Sequence, residues 1–387
     1  MNIILIRRNF TTIAPGGAER AASEIAFGLI NRGHSVTVLS EKFTIKKNEE
    51  NINLKWIKVP KKRSLLGGTY AFHKQSQKIL NKYNLRDNYD IVFSLCRTYP
   101  VDVMRVTEQI HHIWLPMNYS LLQRLNPRHW SLLKLEKKLF LQNQAKHFVV
   151  ISKLFKKQLI EKFSVDERKI SVVYNGLDHS NFYSLKNNKE KLEKLKNKHK
   201  IKNDHITFLF VAHNFKIKGL YTIIEALKLL PKDLQKKFTL LIVGDDNKEI
   251  FLKKINELNL TQCDIRFLGK QSNMPELYQV SDILVYPGSF ETFGNVCTEA
   301  MACGVPVISS PLVGASEIIN HKLNGYTLDN FNNSEQLTTF LTEYMNQSNA
   351  DKIKMSNKAI ETAKDFDWNK NVQYIEKLFT EIANSKN

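Results

Sequence analysis

A protein of two doubly wound α/β domains is predicted by three observations. Short apolar runs alternate with amphipathic stretches along most of the chain, the signature of parallel strands joined by crossover helices. The alternation starts twice, at "NIILI" and again at "ITFLFVA", with a Lys-rich break between the two series. The length of 387 residues, 42% of them hydrophobic, is enough for two cores and long for one.

The first series opens with the run "NIILI", a Gly-containing loop "TTIAPGG", a helical pattern "AERAASEIAFGLINRG" that stops at Gly33, and the run "SVTVL". That is strand, turn, helix and strand, the start of an α/β unit. "NLKWIKVP", "YDIVFSLC", "KHFVVIS" and "KISVVYN" are further strands, with helical stretches such as "FKKQLIEKF" between them. Residues 184–200 are Lys-rich, with Leu192 and Leu195 as the clear apolar anchors, and read as a loose helix or linker. The second series runs "ITFLFVA", "TIIEALKLL", "FTLLIVG", "EIFLKKINEL", "DIRFLG", "MPELYQV", "DILVYPG", "VCTEAMA" and "VPVISS", again strand and helix in turn. In the tail, Trp368, Val372, Ile375, Leu378, Phe379 and Ile382 recur at helical spacing and predict a closing helix. The expected division is an N-terminal domain over 1–176, a C-terminal domain over 177–365, and a helix over 366–387 packing back toward the N-terminal domain. Ligands of open α/β sheets bind beyond the carboxyl ends of the strands, so the expected site is a cleft to which both sheets turn those ends.

Composition narrows the class of function. The formal charge of +19 favours an anionic partner, and nucleic acid, an anionic membrane and a phosphorylated substrate all fit it. No zinc spacing, helix-turn-helix signature or aromatic single-strand platform accompanies the charge, so a specific nucleic-acid partner is not expected. Cys96, Cys263, Cys297 and Cys303 are scattered without a CxxC pair, which predicts a reducing compartment and neither zinc nor a disulfide framework. The start, "MNIILIRRNF", has six residues before a charged pair, too few for a signal-peptide core, and no run reaches about 18 uncharged apolar residues. A cytoplasmic protein is expected, peripheral on a membrane at most.

Candidate ligand residues sit where strands end and helices begin. Gly16 and Gly17 follow the first strand and allow backbone N–H groups to approach an anion or a sugar. Lys216 and Lys218 in "VAHNFKIKG" stand at a strand end before a helix, placed to meet a diphosphate. In "SFETFGNVCTEAMACGVPV", a polar turn carrying Glu291 leads through Phe293 to Gly294, Asn295 and Val296 at a helix start. Glu299 lies about one turn further. The N–H groups of such a start suit phosphate, and a carboxylate one turn in can accept both hydroxyls of a ribose. Glu291 is placed to reach a sugar beyond the diphosphate. No Asp-x-Asp motif follows a strand, so no metal is expected.

These residues resemble a known family. The segment "ETFGNVCTEAMACGVPVI" is similar to the E-x7-E segment and following strand of retaining glycosyltransferases of family four, which have the GT-B fold of two facing Rossmann-like domains. "PGGAER", "YNGLD", "FKIKG" and "GASEII" extend the likeness over most of the chain. Within the family, the order of "GG", "VDV", "FKIKG" and the E-x7-E segment looks most like the lipopolysaccharide core glucosyltransferases. The resemblance implies a nucleotide-sugar donor, UDP-linked, and a glycolipid or polysaccharide acceptor. It implies that Glu299 binds the ribose, Glu291 the transferred sugar, and Lys218 the leaving diphosphate, with Gly17 beside the donor phosphate and sugar. It also implies that Asp102 in "YPVDVM" stands near the acceptor or reaction centre; Glu108, His111 and His112 compete with it for that place. Glu317 in "GASEII" belongs to the pattern without an assigned ligand. Ile217 stands where the lipopolysaccharide enzyme has Arg, with Lys216 the nearest substitute. The implied chemistry is same-face attack with no covalent nucleophile. An epimerase uses a similar cleft but needs acids around the sugar that the sequence does not place. Residues 105–138 interleave Trp114, Tyr119, Trp130 and several leucines with Arg, His and Lys, as a segment at an anionic membrane surface does.

Overall fold

The computed structural model describes residues 1–13, 16–49, 53–186 and 188–386. The chain divides into two compact units, one of residues 1–176 with 368–387 and one of residues 177–367.

The first unit begins β1 (Asn2–Ile6), β2 (Asn9–Thr11), α1 (Gly17–Asn31), β3 (Ser35–Ser40), β4 (Lys42–Thr44), β5 (Leu54–Lys58), α2 (Gly68–Lys82) and β6 (Ile91–Ser94). It continues β7 (Val101–Val106), α3 (His111–Asn118), α4 (Pro127–Glu136), β8 (Ala145–Val150), α5 (Lys153–Phe163) and β9 (Ile170–Val172). Among the described residues the main sheet has seven strands in the order β5-β3-β1-β6-β7-β8-β9, and every pairing is parallel. Alternation along β1 shows why the sheet is wound on both faces. Ile4 and Ile6 enter a core with Phe72 and Leu80 of α2 and Phe155 and Leu159 of α5. Ile3 and Leu5 enter a second core with Ile25, Ala26 and Leu29 of α1.

That second core also holds Val372, Ile375 and Phe379 of the last helix, α13 (Trp368–Asn384), whose apolar face covers α1 and β6. Gly28 of α1 makes the approach possible, since a Cβ there would stand 2.5 Å from Val372 Cγ2.

The second unit comprises α6 (Lys189–Lys198), β10 (Ile206–Val211), α7 (Leu220–Leu229), β11 (Phe238–Val243), α8 (Glu249–Glu257), β12 (Asp264–Gly269) and α9 (Met274–Gln279). Then follow β13 (Ile283–Tyr286), α10 (Asn295–Ala302), β14 (Val307–Ser309), β15 (Gly325–Thr327), α11 (Ser334–Asn346) and α12 (Asn349–Ala363). Among the described residues its six parallel strands run β12-β11-β10-β13-β14-β15. In both units the chain winds outward in one direction and then returns to the middle. The reversal falls between β1 and β6 in the first unit and between β10 and β13 in the second. The crevice outside the carboxyl ends of such a strand pair is where open α/β sheets bind ligands.

The Lys-rich stretch resolves into α6, capped by the Asn188 side chain accepting from the Lys191 N–H at 3.1 Å. One strand of the seven-stranded sheet was hidden in the sequence. "VDVMRV" is β7, with every residue buried, although Asp102 and Arg105 interrupt its apolar run. Each of these charged side chains has a polar partner that lies far off in the chain. Asp102 accepts from the Val92 N–H at 2.8 Å and from Lys386 Nζ at 2.8 Å. Arg105 donates to Asn175 Oδ1 at 2.8 Å.

Candidate functional site

The reversal in the second unit gathers most of the candidate donor residues. The loop after β10 carries Lys218, and the loop after β13 carries Glu291. Lys218 Nζ lies 2.8 Å from Glu291 Oε2 and 2.6 Å from the Phe290 carbonyl oxygen. Two backbone features hold the loops together. The Ser289 N–H donates to the Ile217 carbonyl at 2.8 Å. Gly219, at φ +89°, leaves no room for a side chain, because a Cβ would meet the Pro287 oxygen at 2.2 Å. Beyond them, the Glu291 N–H donates to Leu312 O at 3.1 Å and the Gly314 N–H to Glu291 O at 3.1 Å, tying the acid to the loop after β14.

Each acid has a buried tyrosine behind it. Tyr286 OH donates to Glu291 Oε2 at 3.2 Å, and the Thr292 N–H donates to Glu291 Oε1 at 2.8 Å. Tyr278, on α9, donates its hydroxyl to Glu299 Oε2 at 2.8 Å. Burial pushes the Glu291 pKa up, but the charge and hydrogen bond of Lys218, with the bonds from Thr292 and Tyr286, outweigh it. The net pKa falls below the usual carboxylate range. Burial and the adjacent carboxylates push Tyr278 and Tyr286 well above the usual phenol value, so both remain hydrogen donors. The buried Cys297 thiol is raised by burial and then by Glu291 and Glu299, which keeps it protonated and inert.

Gly294 caps α10 at φ +98°, and Asn295 and Val296 open the helix half-buried. The start of α10 and the Glu299 carboxylate therefore share one short helix at a strand-end crevice. Phe293 is 1% exposed and its ring packs 5.9 Å from that of Phe366, so its side chain anchors the loop from inside. Lys216 is exposed on the same loop as Lys218. Glu317 is half-buried in a short 3-10 turn over Gly314–Ile318.

In the first unit, Gly16 is the N-cap of α1 and Gly17 its first residue, directly after residues 14–15, which lie outside the described residues. Asp102 is not with them, and its expected place near the reaction centre is corrected. It occupies the amino-terminal end of β7, and in a parallel sheet that is the end opposite the crevice. Its carboxylate serves the C-terminal tail, through Lys386, and the start of β6.

The carboxyl end of the same sheet holds a different network. Arg7, directly after β1, donates to Glu19 of α1 at 2.9 Å and to Leu95 O at 2.8 Å, and stands 3.8 Å from Glu108. Arg97, after β6, bonds Glu108 and the Gln109 carbonyl and donates to Glu136 at 3.0 Å. Glu136, fully buried, accepts from the backbone N–H groups of His111 and His112 at 2.6 and 3.0 Å and pairs with His112 Nδ1 at 2.9 Å. Glu108 therefore lies at the crevice end of β7. Arg7, Arg97, Glu136, Tyr278 and Tyr286 were not found from sequence. The position of Arg7 immediately after the first strand was a usable signal, whereas nothing local marks the tyrosines.

Comparison with known proteins agrees with this architecture. Residues 15–181 match the family model described as "Glycosyltransferase Family 4", and residues 191–366 match "Glycosyl transferases group 1". An uncharacterized glycosyltransferase of Methanocaldococcus jannaschii is 31% identical over 245 residues, 62% of this chain and 60% of its own length. The chain spans from 39% to 60% of the length of the first curated relatives it matches. Among solved structures, that of WaaG, a glycosyltransferase involved in lipopolysaccharide biosynthesis, superposes with a TM-score of 0.80 at 21% identity, over 98% of this chain and 99% of that one. HepE of Anabaena, in complex with UDP and glucose, superposes with a TM-score of 0.72 at 19% identity, over 98% and 100% of the two chains. At these identities the superpositions establish the fold, two Rossmann-like α/β domains of the GT-B class.

Proposed function

Because this chain belongs to glycosyltransferase family 4 and has the GT-B fold, we propose that it is a retaining glycosyltransferase moving glucose from UDP-glucose to a hydroxyl of a lipopolysaccharide core or similar glycolipid. The observation that carries this reading is the Lys218–Glu291 pair at the β10/β13 reversal, with the start of α10 and Glu299 beside it in the chain. The ammonium and the helix N–H groups offer positive potential where a departing diphosphate gathers charge, and they act more strongly on the transition state than on the ground state. Glu299, backed by Tyr278, takes the ribose hydroxyls. Glu291, held ionised by Lys218, takes a hydroxyl of the sugar. The anomeric C–O bond to the diphosphate breaks as the acceptor oxygen bonds the same face, and a diphosphate oxygen receives the acceptor proton. The UDP and glucose bound by HepE, and the lipopolysaccharide pathway named for WaaG, support this donor and this acceptor class.

The acceptor class also suggests where the enzyme works, peripherally on the cytosolic face of the inner membrane. Met117, Leu121, Leu122, Leu125 and Trp130 are exposed on and between α3 and α4, among Arg124, Arg128 and Lys134, which supports contact with an anionic lipid surface. No helix of the described residues is long and apolar enough to cross a membrane. A second reading, transfer to another cell-surface polysaccharide or lipid-linked glycan, uses the same donor device.

Donor screening tests the proposal. Wild-type protein and Glu299→Ala are incubated with UDP-, ADP- and GDP-linked hexoses and a lipopolysaccharide precursor, with product detection by mass spectrometry. Glucosylated precursor from UDP-glucose is expected, with nucleotide affinity weakened about tenfold or more by the mutation, the worth of a charge-assisted hydrogen bond. Unchanged nucleotide saturation in Glu299→Ala would remove that residue from the donor site.

A further inference from the structure

The Glu291 carboxylate is saturated by its own surroundings. Among the described residues it accepts from four donors. Oε1 takes the Thr292 N–H at 2.8 Å and the Thr292 hydroxyl at 3.2 Å, and Oε2 takes Lys218 Nζ at 2.8 Å and Tyr286 OH at 3.2 Å. An ionised carboxylate offers about four lone-pair sites. A sugar hydroxyl can therefore donate to Glu291 only when one of the four gives way.

The four differ in how readily they leave. The Thr292 N–H is backbone of the adjacent residue, in a loop that the Glu291 N–H and carbonyl tie to the segment after β14. The Thr292 hydroxyl shares Oε1 with that fixed N–H. Tyr286 ends β13 and is 3% exposed, so withdrawing its hydroxyl would bury a polar group without its partner. Lys218 is the exception. Its charge sits on a flexible four-carbon stem, and of the four donors it is the cation, drawn to any anion that arrives. Its other partners, the Phe290 carbonyl at 2.6 Å and the Tyr286 ring with its centroid at 5.9 Å, keep the ammonium from being stranded when it turns from the carboxylate.

We infer that the Lys218–Glu291 pair is a latch opened by the diphosphate of the donor: the ammonium passes from the carboxylate to the diphosphate, and the oxygen it vacates accepts a hydroxyl of the transferred sugar. Assigning the diphosphate to Lys218 and the sugar to Glu291 rests on the proposed transfer reaction. UDP alone must break the ion pair with no hydroxyl to replace it, whereas UDP-glucose brings the replacement. The latch therefore favours donor over product and promotes release of UDP once the sugar has gone. By linkage, whatever closes the pair weakens diphosphate binding by the same factor.

The test measures binding of pyrophosphate, UDP and UDP-glucose by isothermal titration calorimetry to the full chain, as wild type, Glu291→Gln, Lys218→Met and the double variant. Glu291→Gln keeps the size of the side chain and removes its charge. It is expected to bind UDP and pyrophosphate about tenfold more tightly than wild type, the worth of a charge-assisted hydrogen bond, and to lose most of the preference for UDP-glucose over UDP. A merely structural role for Glu291 would weaken both ligands. Relief of repulsion between Glu291 and the diphosphate would also tighten binding, but it does not require Lys218. In the Lys218→Met background the gain is therefore expected to shrink to about twofold or less. Equal gains in both backgrounds, or weaker UDP binding in Glu291→Gln, would overturn the latch. Pyrophosphate separates the latch from the donor assignment. If it shows the Lys218-dependent gain while UDP-glucose is neither bound nor used, the latch stands and the transferase reading fails. If wild type transfers glucose from UDP-glucose and the gain is absent, the transferase reading stands and the latch fails. Wild type that binds none of the three overturns both.

Discussion

Lys218 keeps Glu291 ionised against the effect of burial, and the direction of that balance can be tested by removing the ammonium. With the folded pKa below the ordinary 4.5, the ion pair contributes stability that is fully present above that value and is lost as pH falls through the folded pKa. In Lys218→Met only burial and the remaining hydrogen bonds act, so the Glu291 pKa is expected to rise and the acidic limb of the kcat/KM profile to move toward neutral pH. The rate itself is expected to fall about 10²- to 10³-fold, the effect of losing one donor to a developing anion. A pH profile that does not move would separate Glu291 from the sugar-binding step. Asp102 has the opposite expectation. Asp102→Asn weakens its bonds to Val92 and Lys386 and is expected to lower stability by about 1–3 kcal/mol, measured by urea unfolding, while UDP affinity is unchanged. Local motifs made Lys218, Glu291 and Glu299 legible, because a strand end followed by a helix start is encoded within a few residues. Asp102 misled for the same reason: "VDV" resembles a motif, and only the register of β7 shows which end of the sheet it occupies.

At the scale of elements, the covering of one sheet face by α13 is the largest commitment of apolar surface that the tail makes. Phe379 is fully buried, with its ring edge-on to Phe93 at 5.1 Å. Phe379→Ala is expected to destabilise the first unit by about 3–5 kcal/mol, seen as a lower urea midpoint for the transition that includes β1 to β9. A single unchanged transition would show that α13 is not part of that cooperative unit. The same unit contains two buried histidines, His73 and His111, that burial holds down to about 4. Their unfolded forms titrate near 6.5, so the unfolded chain takes up protons that the folded one refuses. Stability is expected to be full above 6.5 and to decline as pH falls from there to about 4, and His73→Gln is expected to flatten that decline in acid-unfolding curves. The helix spacing in "WNKNVQYIEKLFTEIA" announced α13, whereas β7 escaped notice because two charges interrupt it and are bonded by groups distant in the chain.

For the whole molecule, the charge of +19 acts on anything anionic, so its selectivity has to come from the surfaces that present it. On the proposed reading, vesicles with anionic lipid bind the protein more weakly as salt rises, and Leu121→Asp with Leu122→Asp reduces partitioning at least tenfold at constant ionic strength. Burying one leucine is worth about 1.5–3 kcal/mol, so an unchanged partition coefficient would place the lipid contact elsewhere. The sequence by itself determined the two doubly wound sheets, the amphipathic closing helix and the loop that carries Glu291 and Glu299. These are written in periods of two and 3.6 residues and in glycines at strand ends, which a linear reading can detect. Tertiary structure alone decided which side chains meet. Lys218 reaches Glu291 across 73 positions, Arg97 reaches Glu136 across 39, and Asp102 reaches Lys386 across 284. The physical reason is that strand order and helix packing, not spacing along the chain, decide which loops and ends become neighbours: the β10/β13 reversal brings the loops of Lys218 and Glu291 together, and the return of α13 over the first sheet brings Lys386 to the start of β7.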